Sequence, residues 1–151
     1  MAFAAPSLKG RALRLLSQRE HSRAELERKL AKYEQEPGSL AQALDELTAK
    51  DFISEARVVE SVLHQRAAKL GAARIRQELQ AKGLAPALVH DAVATLRATE
   101  LERAREVWRK KFDVTAAAPD AAARAKQARF LLARGFSGAV VAKALRHDMD
   151  E

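Results

Sequence analysis

The sequence predicts an all-α protein: three tandem three-helix repeats in an elongated, curved arrangement. The first observation is the stretch from Gly71 to Leu84. Ile75 and Leu79 stand four apart and share a helical face. Lys82 then supplies a cation for the last turn, Gly83 a residue at ease with positive φ, and Pro86 opens the next helix. The second observation is that this unit recurs. At a shift of 52, Leu79, Gly83, Leu84, Val89 and Val93 fall on Leu131, Gly135, Phe136, Val141 and Leu145. At a shift of 49 backwards, Ile75, Leu79, Val89, Val93 and Leu96 fall on Leu26, Leu30, Leu40, Leu44 and Leu47, and Pro86 falls on Pro37. A period near fifty residues is the mark of a repeat architecture. The third is composition: 48% apolar, 31% charged, with only 6 Gly and 4 Pro and no long β-branched runs. The expected units are residues 1–53 with a short N-terminal arm, 54–98, and 99–151.

The elements follow in order. Residues 1–7 read as a loose arm. Leu8, Ala12, Leu15 and Leu16 space a first helix to about Gln18. Ser22 and Glu25 form a capping box for a second, from Arg23 to about Tyr33. The third helix has two competing starts: Pro37 in its first turn, or Ser39 with Gln42 as a capping box. Its buried face is Leu40, Ala43, Leu44 and Leu47. Phe52 and Ile53 are expected to plug the joint to the next unit, and Ser54 to cap a fourth helix with Val59, Val62, Leu63 and Leu70 inside. Gly71, in the place of Ser22, is the N-cap of the fifth helix, and the sixth runs from Pro86 to about Ala98. A seventh spans Thr99 to Phe112 with Leu101, Ala104 and the core residue Trp108 on one stripe. After a loop from Asp113 to Pro119, Asp120 caps an eighth helix with Ala125, Ala128 and Leu132 facing in. Gly135 ends it, and Ser137 caps a ninth with Val140, Val141, Ala144 and Leu145 packed. The acidic end, Asp148 to Glu151, is expected to fray.

Catalysis finds little support. Cysteine is absent, so disulfides and thiolate metal sites are excluded. The four histidines, His21, His64, His90 and His147, lie at no metal-binding spacing, and no Gly-rich phosphate loop occurs. The reading is a non-enzyme without cofactor or metal. Apolar runs are far too short to span a bilayer, and the start of the chain is too short for a secretory signal, so a cytoplasmic location and no membrane contact are expected.

Charge is the positive signal. The net charge is +7 and the pI about 10, which favours a polyanionic partner. Between Ala121 and His147 stand Arg124, Lys126, Arg129, Arg134, Lys143 and Arg146 with no acid. Arg103, Arg105, Arg109, Lys110 and Lys111 crowd the preceding helix against only Glu102 and Glu106. In the second copy, Arg74 and Lys82 straddle Glu78 on a face that Ile75 and Leu79 do not use. The candidate basic face is therefore Arg74, Lys82, Arg103, Arg109, Lys110, Lys111, Arg124, Lys126, Arg129 and Arg134. No aromatics are interleaved among its exposed positions, so phosphate or protein-surface contact is expected rather than base stacking.

Three segments carry a family resemblance. Leu15-Leu16-Ser17-Gln18-Arg19-Glu20-His21-Ser22-Arg23-Ala24-Glu25-Leu26 is similar to the pattern L-L-x-x-R-x-x-S-x-x-E-L of the RecX family. Arg74 to Leu84 is similar to its I-x-x-E-L-x-x-K-G-[IV], and Gly135-Phe136-Ser137 to its G-F-[SD]. The order and spacing hold from Leu13 to Leu145. Two positions depart: Tyr33 to Gly38 lacks the Lys-Gly-hydrophobic turn, and Glu55 stands where the family usually has Asp. The resemblance implies three tandem three-helix repeats. It also implies a regulator that binds RecA–DNA filaments along their groove and modulates, usually inhibits, recombinase and co-protease activity in DNA repair and the SOS response. The partners implied are the RecA filament and DNA, single- or double-stranded, met through its phosphates; a monomer is expected. The alternative is a helical protein acting on DNA directly, with helix pairs at Gly83 or Gly135 serving as a helix-turn-helix. A generic helical-repeat adaptor is a third reading.

Overall fold

The computed structural model describes residues 5–112 and 119–146, and all regular structure in them is helical. The helices are α1 (Leu8–Gln18), α2 (Arg23–Leu30), α3 (Ser39–Ala49), α4 (Glu55–Arg66), α5 (Ala72–Ala81), α6 (Pro86–Ala98), α7 (Glu100–Lys111), α8 (Ala121–Ala133) and α9 (Gly138–Ala144). One 3-10 turn, Ala31–Tyr33, extends α2. Most of the loop from Asp113, His147 and the acidic end lie outside the described residues.

Each run of three helices closes on its own core. Leu26, Leu30, Leu40, Leu44, Leu47 and Ile53 fill the first. Ile75, Leu79, Leu84, Val89, Val93 and Leu96 fill the second. Trp108, Leu131, Phe136 and Val141 lead the third. Apart from Ile53 and Trp108, these are positions that the shifts of 49 and 52 align, so one packing pattern is used three times. Leu26, Leu79 and Leu131 are fully buried, each contributing about 2 kcal/mol of apolar transfer. Trp108 is a core residue whose indole N–H donates to Gln127 Oε1 at 3.0 Å.

The units meet through their middle helices, head to tail. At the first joint the N-terminus of α2 sits on the C-terminus of α5. Ser22 Oγ accepts the Glu25 N–H at 3.1 Å and donates to the Lys82 carbonyl at 2.6 Å. Glu25 completes the capping box through the Ser22 N–H at 3.1 Å, and also pairs with Arg19 at 2.7 Å and Lys82 at 3.1 Å. Burial alone would raise the Glu25 carboxyl, but Arg19, the Ser22 N–H and Lys82 together hold it down to about 2. Buried His21 donates from Nδ1 to the Arg19 carbonyl at 3.0 Å and accepts from Lys29 at its Nε2, 3.1 Å away. Burial is the main cause that lowers its pKa, so the ring is held neutral.

At the second joint the N-terminus of α5 sits on the C-terminus of α8. The Gly71 N–H donates to the Arg134 carbonyl at 2.8 Å and the Ala73 N–H to the Gly135 carbonyl at 3.3 Å. Orphan N–H groups at one helix start thus meet carbonyls at another helix end. A Cβ on Gly71 would lie 2.3 Å from Gly135 backbone atoms, so only glycine permits this approach. Glu100, buried beside it, accepts the Ala72 N–H at 3.1 Å.

Several expectations are corrected. The third helix starts by neither route foreseen. Gly38, at φ 86°, is its N-cap, and the Glu34 carboxylate accepts the Leu40 N–H at 2.9 Å. Ile53 is buried, but Phe52 is 47% exposed. Asp51 adopts φ 64°, closing a Schellman-type turn in which the Phe52 N–H reaches the Leu47 carbonyl; the two neighbours then point apart. In α4 the most buried residues are Val58 and Val62, with Val59 and Leu63 only partly covered, and Leu70, also partly covered, lies beyond the end of the helix. In α8 the inward residue is Leu131; Leu132 is 48% exposed and Ala125 is exposed. Gln127 holds Trp108 and so fixes α8 one residue round from the stripe expected.

Candidate functional site

The third unit presents its cations from the end of α7. Ala104, Val107 and Trp108 face the core, which leaves Arg109, Lys110 and Lys111 exposed in the last turn. Cations there also sit favourably against the helix dipole. Phe130, near the end of α8, is fixed edge-on against Phe112, with ring centroids 5.5 Å apart. Arg134 caps α8, its guanidinium 4.8 Å from the Phe130 centroid, and the Lys111 ammonium lies 5.5 Å from that centroid. Across the second joint, the link between α4 and α5 contributes Ala68 and Lys69.

These residues enclose a groove of about 430 Å3 between units two and three. Lys69, Lys110, Lys111 and Arg134 line it, with Val107 and Phe130 as its apolar surface and no carboxylate among the described residues. Like charges gathered without a counter-charge raise the local potential and favour an anion. Phe130, half-buried against the third core, lies under two of these cations.

The ten residues singled out in the sequence divide by position. Lys110, Lys111 and Arg134 come together in the groove. Lys126 and Arg129 are exposed on α8, and Arg124 is exposed with its Nε donating to the Pro119 carbonyl at 3.3 Å. Arg109 is exposed but paired with Glu106 at 3.0 Å. The remaining three tie units together. Lys82 is held by Glu25, its side chain 17% exposed. Arg74 donates to the Ala133 carbonyl at 2.8 Å and lies across Gly135. Arg103 donates to the carbonyls of Ala67, Leu70 and Leu96 at 2.7–2.8 Å. Burial pushes its pKa down from the usual range, against the pull of Glu100. Sequence reasoning missed Lys69. Nothing local marks it; only the approach of the α4–α5 link to α7 brings it to the groove.

Among the described residues no helix is long and apolar enough to cross a membrane. Profiles for the first, second and third three-helix domains of RecX match residues 9–47, 54–93 and 98–145. The regulatory protein RecX of Leptothrix cholodnii is 54% identical over 149 residues, covering 95% of this chain and 94% of that one. That of Herminiimonas arsenicoxydans is 51% identical over 146 residues, covering 97% and 95%. The crystal structure of RecX from Lactobacillus salivarius shares the fold, with a TM-score of 0.77 at 20% identity over 94% of this chain and 95% of that one. Matched over nearly its whole length by relatives and in all three of its units by domain profiles, the chain belongs to the RecX family of regulatory proteins.

Proposed function

We propose that this chain is a non-enzymatic regulator that binds RecA–DNA filaments and inhibits their recombinase and co-protease activity in DNA repair and the SOS response. It acts in the cytoplasm, as a monomer, with neither cofactor nor metal. The observation that carries this reading is the groove between units two and three: four cations and, among the described residues, no carboxylate, with Lys126 and Arg129 exposed on α8. A surface of this kind suits DNA phosphates or an acidic protein face, and its affinity comes largely from released counterions. Tandem units joined head to tail suit a repeating polymer, because successive units meet successive subunits. The contact region proposed is Lys110, Lys111, Lys126, Arg129 and Arg134, with Arg109, Arg124 and newly Lys69. Arg74, Lys82 and Arg103 support it by fixing the joints. Direct reading of duplex DNA by helix pairs at Gly83 or Gly135 draws less support. Gly83 abuts Ala24 and Gly135 abuts Gly71 and Arg74, so both turns are covered by a neighbouring unit.

The test titrates the full chain onto RecA–DNA filaments and onto bare DNA at the same salt. Tighter binding to the filament, with loss of strand exchange at saturation, is expected. Equal affinity for bare duplex and filament would refute the reading.

A further inference from the structure

The first unit carries a groove of its own, which the reading above does not use. It lies between α1 and the end of α2 and encloses about 490 Å3. Leu15 and Leu30 contribute apolar wall, and Arg11, Arg14, Arg28, Lys29 and Lys32 line it, with no carboxylate among the described residues. Two of these cations are already engaged. Lys29 donates to His21 and Arg28 to the Ala81 carbonyl at 3.2 Å. Arg11, Arg14 and Lys32 have no ion pair among the described residues.

Tyr33 sets this groove apart from a merely basic surface. It lies outside the first core and is 37% exposed. The Arg11 guanidinium carbon stands 3.7 Å from its ring centroid, and the Lys32 ammonium 5.2 Å. A guanidinium carbon at that height lies over the ring, so aromatic surface and cation are joined in one patch. Glu34, the nearest acid in sequence, is committed to the Leu40 N–H and does not line the groove.

A ligand matched to these features has a flat apolar face and negative charge on both sides of it. An acidic peptide supplies the charge without the face. A duplex supplies both but hides the faces of its bases in the stack. A single strand offers both at once, and stacking on aromatic or guanidinium planes between basic walls is how such strands are held. We propose that this groove binds single-stranded nucleic acid, one base stacked on the Arg11–Tyr33 pair and flanking phosphates held by Arg14 and Lys32. The inference needs no filament and stands or falls apart from the reading above.

The experiment measures fluorescence anisotropy of a labelled oligothymidine with the full chain, beside an abasic oligomer of equal length. Tyr33→Ala should weaken oligothymidine binding between about fivefold and a hundredfold. It should leave the weaker abasic binding unchanged. Tyr33→Phe should bind like the parent. Arg11→Lys keeps the charge but loses the plane, and should also weaken binding to the base-bearing strand. The pair Lys69→Glu with Lys110→Glu, in the other groove, should leave the Tyr33 dependence intact. Equal losses on both oligomers, or none, would overturn the proposal. So would competition by polyglutamate or by a free nucleoside triphosphate as effective as that by the oligomer. A circular dichroism melt checks each fold; if Tyr33→Ala unfolds, the Tyr33→Phe and Arg11→Lys pair decides.

Discussion

Replacing Gly71 by alanine forces the second and third units apart. Gly71 has φ −80°, which alanine adopts freely, so the substitution is a steric probe and not a backbone one. The new Cβ would lie 2.3 Å from the carbonyl carbon and oxygen of Gly135 and from the Phe136 nitrogen. These are backbone atoms, and no rotamer change relieves the clash. Reaching ordinary contact needs a shift of roughly 1 Å, enough to break the 2.8 Å hydrogen bond from Gly71 to Arg134 and the weaker one from Ala73 to Gly135. Two lost bonds cost about 1 kcal/mol each, and more where the freed N–H stays buried. Alanine returns about 0.4–1 kcal/mol by restricting the unfolded chain. The net expected loss is about 1–4 kcal/mol, the upper end where the freed N–H groups stay buried, read by urea titration with far-ultraviolet circular dichroism. Gly138→Ala is the control, since a Cβ there meets nothing within 4 Å. Gly71→Ala within about 0.5 kcal/mol of the parent, or Gly138→Ala equally damaging, would refute the joint as described.

Three more perturbations test the same frame. Arg103→Ala strips the donors from the Ala67, Leu70 and Leu96 carbonyls and should cost about 2–4 kcal/mol in the same titration, whereas exposed Lys110→Ala should move stability by less than about 0.5 kcal/mol. Ser22→Ala removes the α2 cap and the bond to Lys82, and should cost about 1–2 kcal/mol; an unchanged urea midpoint would mean that the first joint is not held there. Glu25, with its pKa lowered from 4.5 to about 2, favours the folded state most fully above pH 4.5 and loses that contribution as pH falls toward 2. Glu25→Gln should flatten stability against pH in that window, while neutral His21 leaves a separate decline beginning below pH 6.5.

The repeat was legible because its punctuation is local. Leu79 and Leu131 sit four and five residues before Gly83 and Phe136 respectively, and both Gly83 and Gly135 take positive φ, at 70° and 92°. The Ser22 and Ser137 caps are local for the same reason. The face of α8 was not legible: its alanines lie all round the helix, and the choice falls to Gln127 meeting Trp108 from another helix. The joints were equally hidden. Gly71 reads as an ordinary N-cap until Gly135 is found against it, sixty-odd residues away. The basic composition was plain, but composition does not say which cations are used internally. Arg103 and Lys110 look alike in sequence; one fills a joint and the other lines a groove. Tyr33 carries no signal beyond a lone aromatic at a helix end, and only the packing of Arg11 on it reveals a platform.

The central claim is that the groove between units two and three is a polyanion contact. Its most direct measurement is the affinity of the full chain for RecA–DNA filaments across a range of salt, for the parent and for Lys69→Glu with Lys110→Glu. Both lysines line the groove. The reversal should weaken binding about tenfold or more at low salt and make the log–log salt slope shallower by about 1.5–2, the release expected from two lost contacts. The thermal melt should stay near that of the parent, because exposed charges contribute little to folding. An intact fold with unchanged affinity and unchanged salt slope would contradict the claim.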